Sequence, residues 1–194
     1  MKIDVLAIAY RLIDRYGEDL LLSFSQYLYR PRSLFDERLE FNCPIGDVTA
    51  EWIERSLLNL PPGWDLALNS LVRTRRGKLL HVPMIDFSCE DFALVQSIEV
   101  RELVGRDLFE EMIFFDSGRS FHAYSAMLIG RKRWVQLMGR LLLLNLPGRP
   151  SIVDARWVGH RLIGGYSALR WSANSSHYLH EPRRIDGLGA RFDR

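Results

Sequence analysis

The sequence predicts an α+β fold: an antiparallel sheet with helices on one face, preceded by a smaller N-terminal helix and strand unit. Two observations predict it. From Leu66 onward, extended hairpins and helical stretches alternate in the order hairpin, helix, hairpin, helix. Each hairpin also turns on suitable chemistry, Arg75-Arg76-Gly77-Lys78 and Asp116-Ser117-Gly118-Arg119, where glycine supplies the positive φ that tight turns require. A sheet covered on one face leaves the other free for a substrate.

The elements follow in chain order. Val5, Leu6, Ile8, Ala9, Leu12 and Ile13 recur at helical spacing, and Gly17 closes the helix. An extended, aromatic-rich segment spans residues 21–29. Asp47-Val48-Thr49 offers N-cap oxygens to a helix bearing Trp52, Ile53, Leu57 and Leu58, which Pro61-Pro62-Gly63 stops. That punctuation divides residues 1–63, an N-terminal unit packed on the core, from residues 64–180, the core proper, with 181–194 as a tail. In the core, residues 66–87 read as two strands, the second being 79–87, and a helix follows over 91–104. Strands at 112–115 and 120–128 precede a long amphipathic helix at 134–144, which leads to the turn Pro147-Gly148-Arg149-Pro150. Ile152-Val153-Asp154 then opens a helix through Trp157 and Leu162, Gly164-Gly165 breaks it, and residues 168–171 form a last strand.

Composition narrows the function classes. With 47% hydrophobic and 26% charged residues over 194 positions, the chain is an ordinary globular protein, neither disordered nor a disulfide-stapled miniprotein. The leucine run at 141–144 is too short for a bilayer, and Asp4 interrupts what a secretory signal would need, so a cytoplasmic protein without membrane contact is expected. Cys43 and Cys89 form no Cys-x-x-Cys pair, which argues against structural zinc and suits a reducing compartment. A net charge of +2 says little. The clusters Arg73/Arg75/Arg76/Lys78, Arg131-Lys132-Arg133 and Arg183-Arg184 are either solvated turns and helix ends or contacts to nucleic acid. Five tryptophans, 52, 64, 134, 157 and 171, are either core or a base-stacking platform, with helix stripes favouring core for Trp52 and Trp134. His177, His180 and Glu181 lack a further metal ligand at useful spacing and read as a surface tail.

Three polar residues interrupt apolar strand sequence: Asp86 in Met84-Ile85-Asp86-Phe87-Ser88, His122 in Ser120-Phe121-His122-Ala123-Tyr124, and Asp154 after Ile152-Val153. Strand alternation puts Asp86 and Ser88 on one face, and Ser120, His122 and Tyr124 on one face. The order Ile85-Asp86-Phe87, Ser120-Phe121-His122, Val153-Asp154 resembles the three signature motifs of the archaeo-eukaryotic primase superfamily, specifically its 1D-like group. His160-Arg161-Leu162-Ile163 and Leu169-Arg170-Trp171-Ser172-Ala173-Asn174-Ser175 resemble the basic segments that follow the third motif. Together these cover roughly residues 65–180.

The resemblance implies an RRM-like antiparallel sheet and a nucleotidyltransferase core. It implies that Asp86 and Asp154 hold Mg²⁺ or Mn²⁺, hard cations suited to carboxylates. It also implies that Ser120 and His122 meet the phosphates of an incoming nucleoside triphosphate, with Arg161 or Arg170 gripping its polyphosphate through a planar donor fork. Asp86, Asp154 and His122 are thus the catalytic candidates. Ser88 stands where the family's first motif carries a second acid. Glu90 is either its substitute as a third metal ligand or, with Asp91, the acidic start of the next helix. Two functions stay open: a primase or polymerase acting on single-stranded DNA or RNA, and a catalytically degenerate primase-fold subunit binding nucleotide or nucleic acid in a multiprotein complex, for example one for antiviral defence. Helicase or accessory functions would come from protein partners, because no helicase motif is present.

Overall fold

The computed structural model describes residues 4–30, 33 and 35–185. Its strands form two antiparallel sheets. One runs β2 (Glu37–Pro44), β1 (Leu20–Leu28), β3 (Trp64–Thr74), β4 (Leu79–His81), with β8 (Ala168–Arg170) also paired to β3. The other runs β5 (Met84–Asp86), β7 (Phe121–Ser125), β6 (Met112–Asp116), β9 (Arg183–Arg184).

The N-terminal helix is α1, Leu6–Tyr16, and Gly17 ends it at φ 78, a conformation that costs glycine little. Thr49 caps α2 (Ala50–Leu58) by accepting from the Trp52 N–H at 3.2 Å. Beyond the Pro61-Pro62-Gly63 stop the chain enters β3, which pairs with β1 from Leu28↔Trp64 to Leu20↔Thr74. Strands on both sides of that stop therefore share one sheet, and α1, α2 and both sheets share one core.

The expected single strand at 79–87 is two. Pro83 cannot donate to a ladder and holds Val82 extended. Val82 donates to the Ser70 carbonyl at 2.8 Å, staying with the first sheet, while the Pro83 carbonyl accepts from Ser125 N–H at 3.0 Å, joining the second. The helix expected over 91–104 is likewise divided into α3 (Phe92–Val95) and α4 (Ile98–Val104), because Ser97 caps a fresh start. A short α5 (Arg106–Glu110) precedes β6, and α6 (Arg131–Leu143) and α7 (Ala155–Gly164) complete the helices.

The second sheet is covered on both faces, which corrects the expectation of one free face. Ile85, Phe114 and Ala123 pack with Val100, Leu108, Trp134, Leu137 and Val158 from the helices. Met84, Phe115 and Tyr124 pack with Phe24, Leu68, Leu169 and Trp171 of the first sheet's side. Trp171, open between core and platform in the sequence, is buried core. Among the described residues no helix is long and apolar enough to cross a membrane.

Candidate functional site

Cross-strand pairing sets the position of the site. Met84 lies opposite Tyr124, and two residues further Asp86 lies opposite His122. Period-two alternation puts both pairs on the side that meets the first sheet. Met84 and Tyr124 are fully buried there. At Asp86 and His122 the sheets part, and a cleft of about 330 Å³ opens, lined by Tyr27 and Arg170 of the first sheet, Ser117, Arg119 and Ser120 of the β6–β7 turn, and Asp154, Trp157 and Arg161 around α7.

Asp154 reaches Asp86 through the backbone. Phe87 and Val153 form an isolated bridge, and the Asp154 N–H donates to the Asp86 carbonyl at 3.0 Å. One oxygen of Asp154, Oδ1, caps α7 by accepting from the N–H groups of Arg156 (2.8 Å) and Trp157 (3.0 Å). The same residue is thus a structural cap and a cleft acid. Burial, then the neighbouring Asp154 charge, push Asp86 up to about 8 against the weaker pull of Arg170 and Arg161.

His122 places Nε2 3.5 Å from Asp86 Oδ1. Burial and the nearby Arg170 press its pKa down to about 3, so the imidazole is neutral at ordinary pH and the contact is no salt bridge. Its Nδ1 is buried without a protein partner among the described residues, so Nε2 is the ring nitrogen turned toward Asp86.

The basic side is held unevenly. Arg161 is 3% exposed and pairs through Nη2 with Asp36 Oδ2, while Arg38 Nε donates to both Asp36 oxygens at 2.9 and 2.7 Å. Burial works to raise the Asp36 pKa, but Arg38 and Arg161 together hold it below the usual range. Arg170 lies in the cleft wall with its donors committed to carbonyls: Nη1 to Ser172 (2.8 Å) and His180 (2.9 Å), Nη2 to Ser117. It also lies over the Tyr178 ring, 4.1 Å from the centroid. Ser120 lines the cleft, with its hydroxyl 3.2 Å from that of Ser117.

The structure does not bring every sequence candidate inward. Ser88 sits on the cleft but its hydroxyl donates to the Ser151 carbonyl at 3.1 Å. Glu90 is exposed and outside the cleft lining, while Asp91 caps α3 by accepting from Ala93 N–H at 2.8 Å. The 177–181 stretch is not the surface tail expected. His177 stacks on Tyr29 (centroids 4.3 Å apart), and the Tyr178 and Tyr27 hydroxyls share a 2.9 Å hydrogen bond, both inside the cleft. Asp65, buried, anchors this return by accepting from Ser172 Oγ and Asn174 N–H, each at 2.7 Å. Sequence reasoning also missed Asp36 and Arg38, which lie on no recognisable motif and arrive only because β2 is the edge beyond β1.

The comparisons with known proteins give a family and a fold. The archaeo-eukaryotic primase 1D-like family matches residues 44–183. This chain belongs to that family. A solved structure of similar fold is described as the catalytic domain of primase Repb' in complex with initiator DNA. The likeness has a TM-score of 0.54 at 10% sequence identity and covers 96% of this chain and 86% of that one. No curated protein matches in sequence.

In this archaeo-eukaryotic primase 1D-like chain, the motif resemblance read from Asp86, His122 and Asp154 is borne out at the level of family. Among the described residues no three His, Cys, Asp or Glu side chains cluster as a metal site. Two carboxylates do meet: Asp86 and Asp154 line one cleft, close enough for the charge of one to raise the pKa of the other. That donor set fits one hard cation of the Mg²⁺ kind, which is commonly held by one or two carboxylates, substrate phosphates and retained waters.

Proposed function

We propose that this protein is a primase-type nucleotidyltransferase core whose cleft binds a nucleoside triphosphate and single-stranded nucleic acid, with Mg²⁺ or Mn²⁺ at Asp86 and Asp154. The supporting observation is the backbone bond from Asp154 N–H to the Asp86 carbonyl, which sets both acids beside His122 in a cleft with an arginine-rich wall. When bound, a divalent cation would offset the negative charge gathering between a phosphoryl group and an attacking hydroxyl. Asp86 and Asp154 hold it. Neutral His122 turns Nε2 toward Asp86 and the cleft, where it meets a phosphate oxygen or the attacking group without adding a charge that would compete with the cation. Arg161 meets the phosphate chain through its guanidinium fork. Arg170 acts by positioning, because its bonds to Ser117, Ser172 and His180 carbonyls fix the walls on either side.

The test is incorporation of labelled nucleotide on single-stranded DNA or RNA with Mg²⁺ or Mn²⁺. Product is expected from the parent chain and should disappear in Asp86→Ala and Asp154→Ala. Absence of product, or product that survives Asp86→Ala, rejects the enzymatic reading.

One observation favours a second reading, a binding subunit that relies on protein partners. With Ser88 turned to the Ser151 carbonyl, Glu90 outside the cleft and Asp36 paired with Arg38 and Arg161, two of the described cleft acids, Asp86 and Asp154, are left to offset the charge of bound cations. On that reading the chain binds nucleotide or nucleic acid but turns over little, and Ser88→Asp raises incorporation. Robust polymerisation by the parent chain would reject it.

A further inference from the structure

The pairing of Asp36 with two cleft arginines has the form of a ligand contact made by the protein itself. Arg161 Nη2 donates to Asp36 Oδ2, and Arg38 Nε donates to both Asp36 oxygens. Arg–carboxylate and Arg–phosphate pairs use the same planar fork, so a carboxylate here occupies a place that suits a phosphate. The two arginines are nearly buried, with side-chain exposures of 3% for Arg161 and 11% for Arg38. Two buried cations side by side require an anion, and without one each would carry the full penalty of desolvation.

The two partners differ in how firmly they are held. Arg161 lies within α7, and Arg38 in β2 is fixed further by its Nη1 bond to Ser25 Oγ (2.9 Å) and its place 4.4 Å over the Tyr27 ring. Asp36 belongs to no helix or strand, and its side chain is 31% exposed. The match is also incomplete, since Arg161 Nε is buried and unpartnered. A phosphate group, with more acceptor oxygens and more charge than one carboxylate, can replace Asp36 and meet that donor too.

We propose that Asp36 is an internal counter-ion which a phosphate group displaces from Arg38 and Arg161, so that the phosphate subsite of this cleft opens by anion exchange. This rests on the reading that the cleft receives phosphate. A ligand must outcompete the carboxylate, so a multiply charged phosphate chain enters and a weak anion does not. Discrimination of this kind comes from a repulsive element as well as an attractive one.

The chemistry has two sources, the polyphosphate tail of a nucleotide and the 5′-phosphate of a nucleic acid, and the experiment separates them. Calorimetric titrations would compare the full chain and Asp36→Asn with tripolyphosphate, a 5′-phosphorylated oligonucleotide and its unphosphorylated twin. Asp36→Asn keeps the size of the side chain and removes its charge, so tripolyphosphate should bind roughly tenfold tighter. A gain for tripolyphosphate alone assigns the subsite to the nucleotide tail. A gain for the 5′-phosphorylated oligonucleotide but not its twin assigns it to a nucleic-acid end. If Asp36 merely holds the arginines in place for phosphate, Asp36→Asn weakens binding. Weaker or equal binding by the variant, with a parent chain that does bind, overturns the exchange and leaves the nucleotide reading standing. No binding of either tripolyphosphate or the 5′-phosphorylated oligonucleotide by either form overturns both. Should the variant fold poorly, hydrogen exchange in the parent chain decides the same point. Amides at 35–37 should exchange faster when tripolyphosphate saturates the cleft, and slower exchange there overturns the proposal.

Discussion

Asp154 donates its backbone N–H to the carbonyl of Asp86 at 3.0 Å, and the side-chain charge of Asp154 raises the pKa of Asp86. The two acids that the fold brings together thus sit in mutual tension, held there by backbone bonds independent of their ionisation. Several measurable consequences arise from that tension and from the groups around it.

Cation binding should release protons. Free Asp86 titrates near 8, so at neutral pH a cation must displace a proton from it. Mn²⁺ affinity is expected to rise as pH climbs toward 8 and level off above it. Titration calorimetry in buffers of different ionisation heat reads the released proton directly. An affinity independent of pH between about 6 and 8 would contradict the assignment.

The metal-free fold should gain stability from Asp86→Asn. A carboxyl whose folded pKa is raised binds more protons folded than unfolded between its ordinary value of 3.8 and about 8. Stability therefore falls as pH rises through that window. The variant, uncharged throughout, should match the parent chain near the acid end and exceed it by about 2 kcal/mol at the alkaline end, as read by urea denaturation without metal. A loss of stability at alkaline pH would show that the Asp86 charge is supported rather than opposed.

His122 predicts the opposite slope in acid. Its folded pKa of about 3 lies below the ordinary 6.5, so its contribution is present above 6.5 and is lost as pH falls toward 3. Replacing it with Gln should flatten the acid limb of the stability curve while lowering affinity for triphosphate. Thermal melts across pH and nucleotide titration check the two effects separately.

Arg170 should matter to the walls of the cleft more than to any one ligand atom. Three carbonyls, of Ser117, Ser172 and His180, take its donors. Arg170→Ala is expected to destabilise the chain by about 2–4 kcal/mol, because buried carbonyls lose their partners. Arg170→Lys should rescue little, since one ammonium cannot reach both sides of the gap. Recovery of full stability in the lysine variant would reduce Arg170 to a simple charge.

Gly118 should tolerate no side chain. It sits at φ 106, and a Cβ there would come within 3.3 Å of Leu179 Cβ on the returning C-terminal segment. Gly118→Ala combines backbone strain with a clash between the β6–β7 turn and that segment, for a loss of about 1–3 kcal/mol. The melting midpoint measures it.

The α+β class, the two hairpins, the helix that Gly17 closes and the polar interruptions at Asp86, His122 and Asp154 were all readable from local signals, because periodicity, caps and turn chemistry act over a few residues. Three things lay beyond that reach. The transfer of the chain between sheets at Val82-Pro83 depends on which strand each neighbour finds, and the proline signals only a break. The inward placement of His177 and Tyr178 depends on Arg170 and on Asp65, which is remote in sequence, and a sequence window shows only a polar tail. The Asp36–Arg38–Arg161 cluster joins an edge strand to a late helix and follows no spacing rule.

By itself, then, the sequence determined the family and most of the element types. Only the tertiary structure decided that Ser88 bonds to Ser151 and that Glu90 stays outside. It also decided that the cleft wall is built by segments from both ends of the described chain. The physical reason is that patterning records which face of its own element a residue takes, whereas a site is made by long-range pairings. Asp154 beside Asp86 is one of these, and it exists only once two β-bridged segments have closed the chain between them.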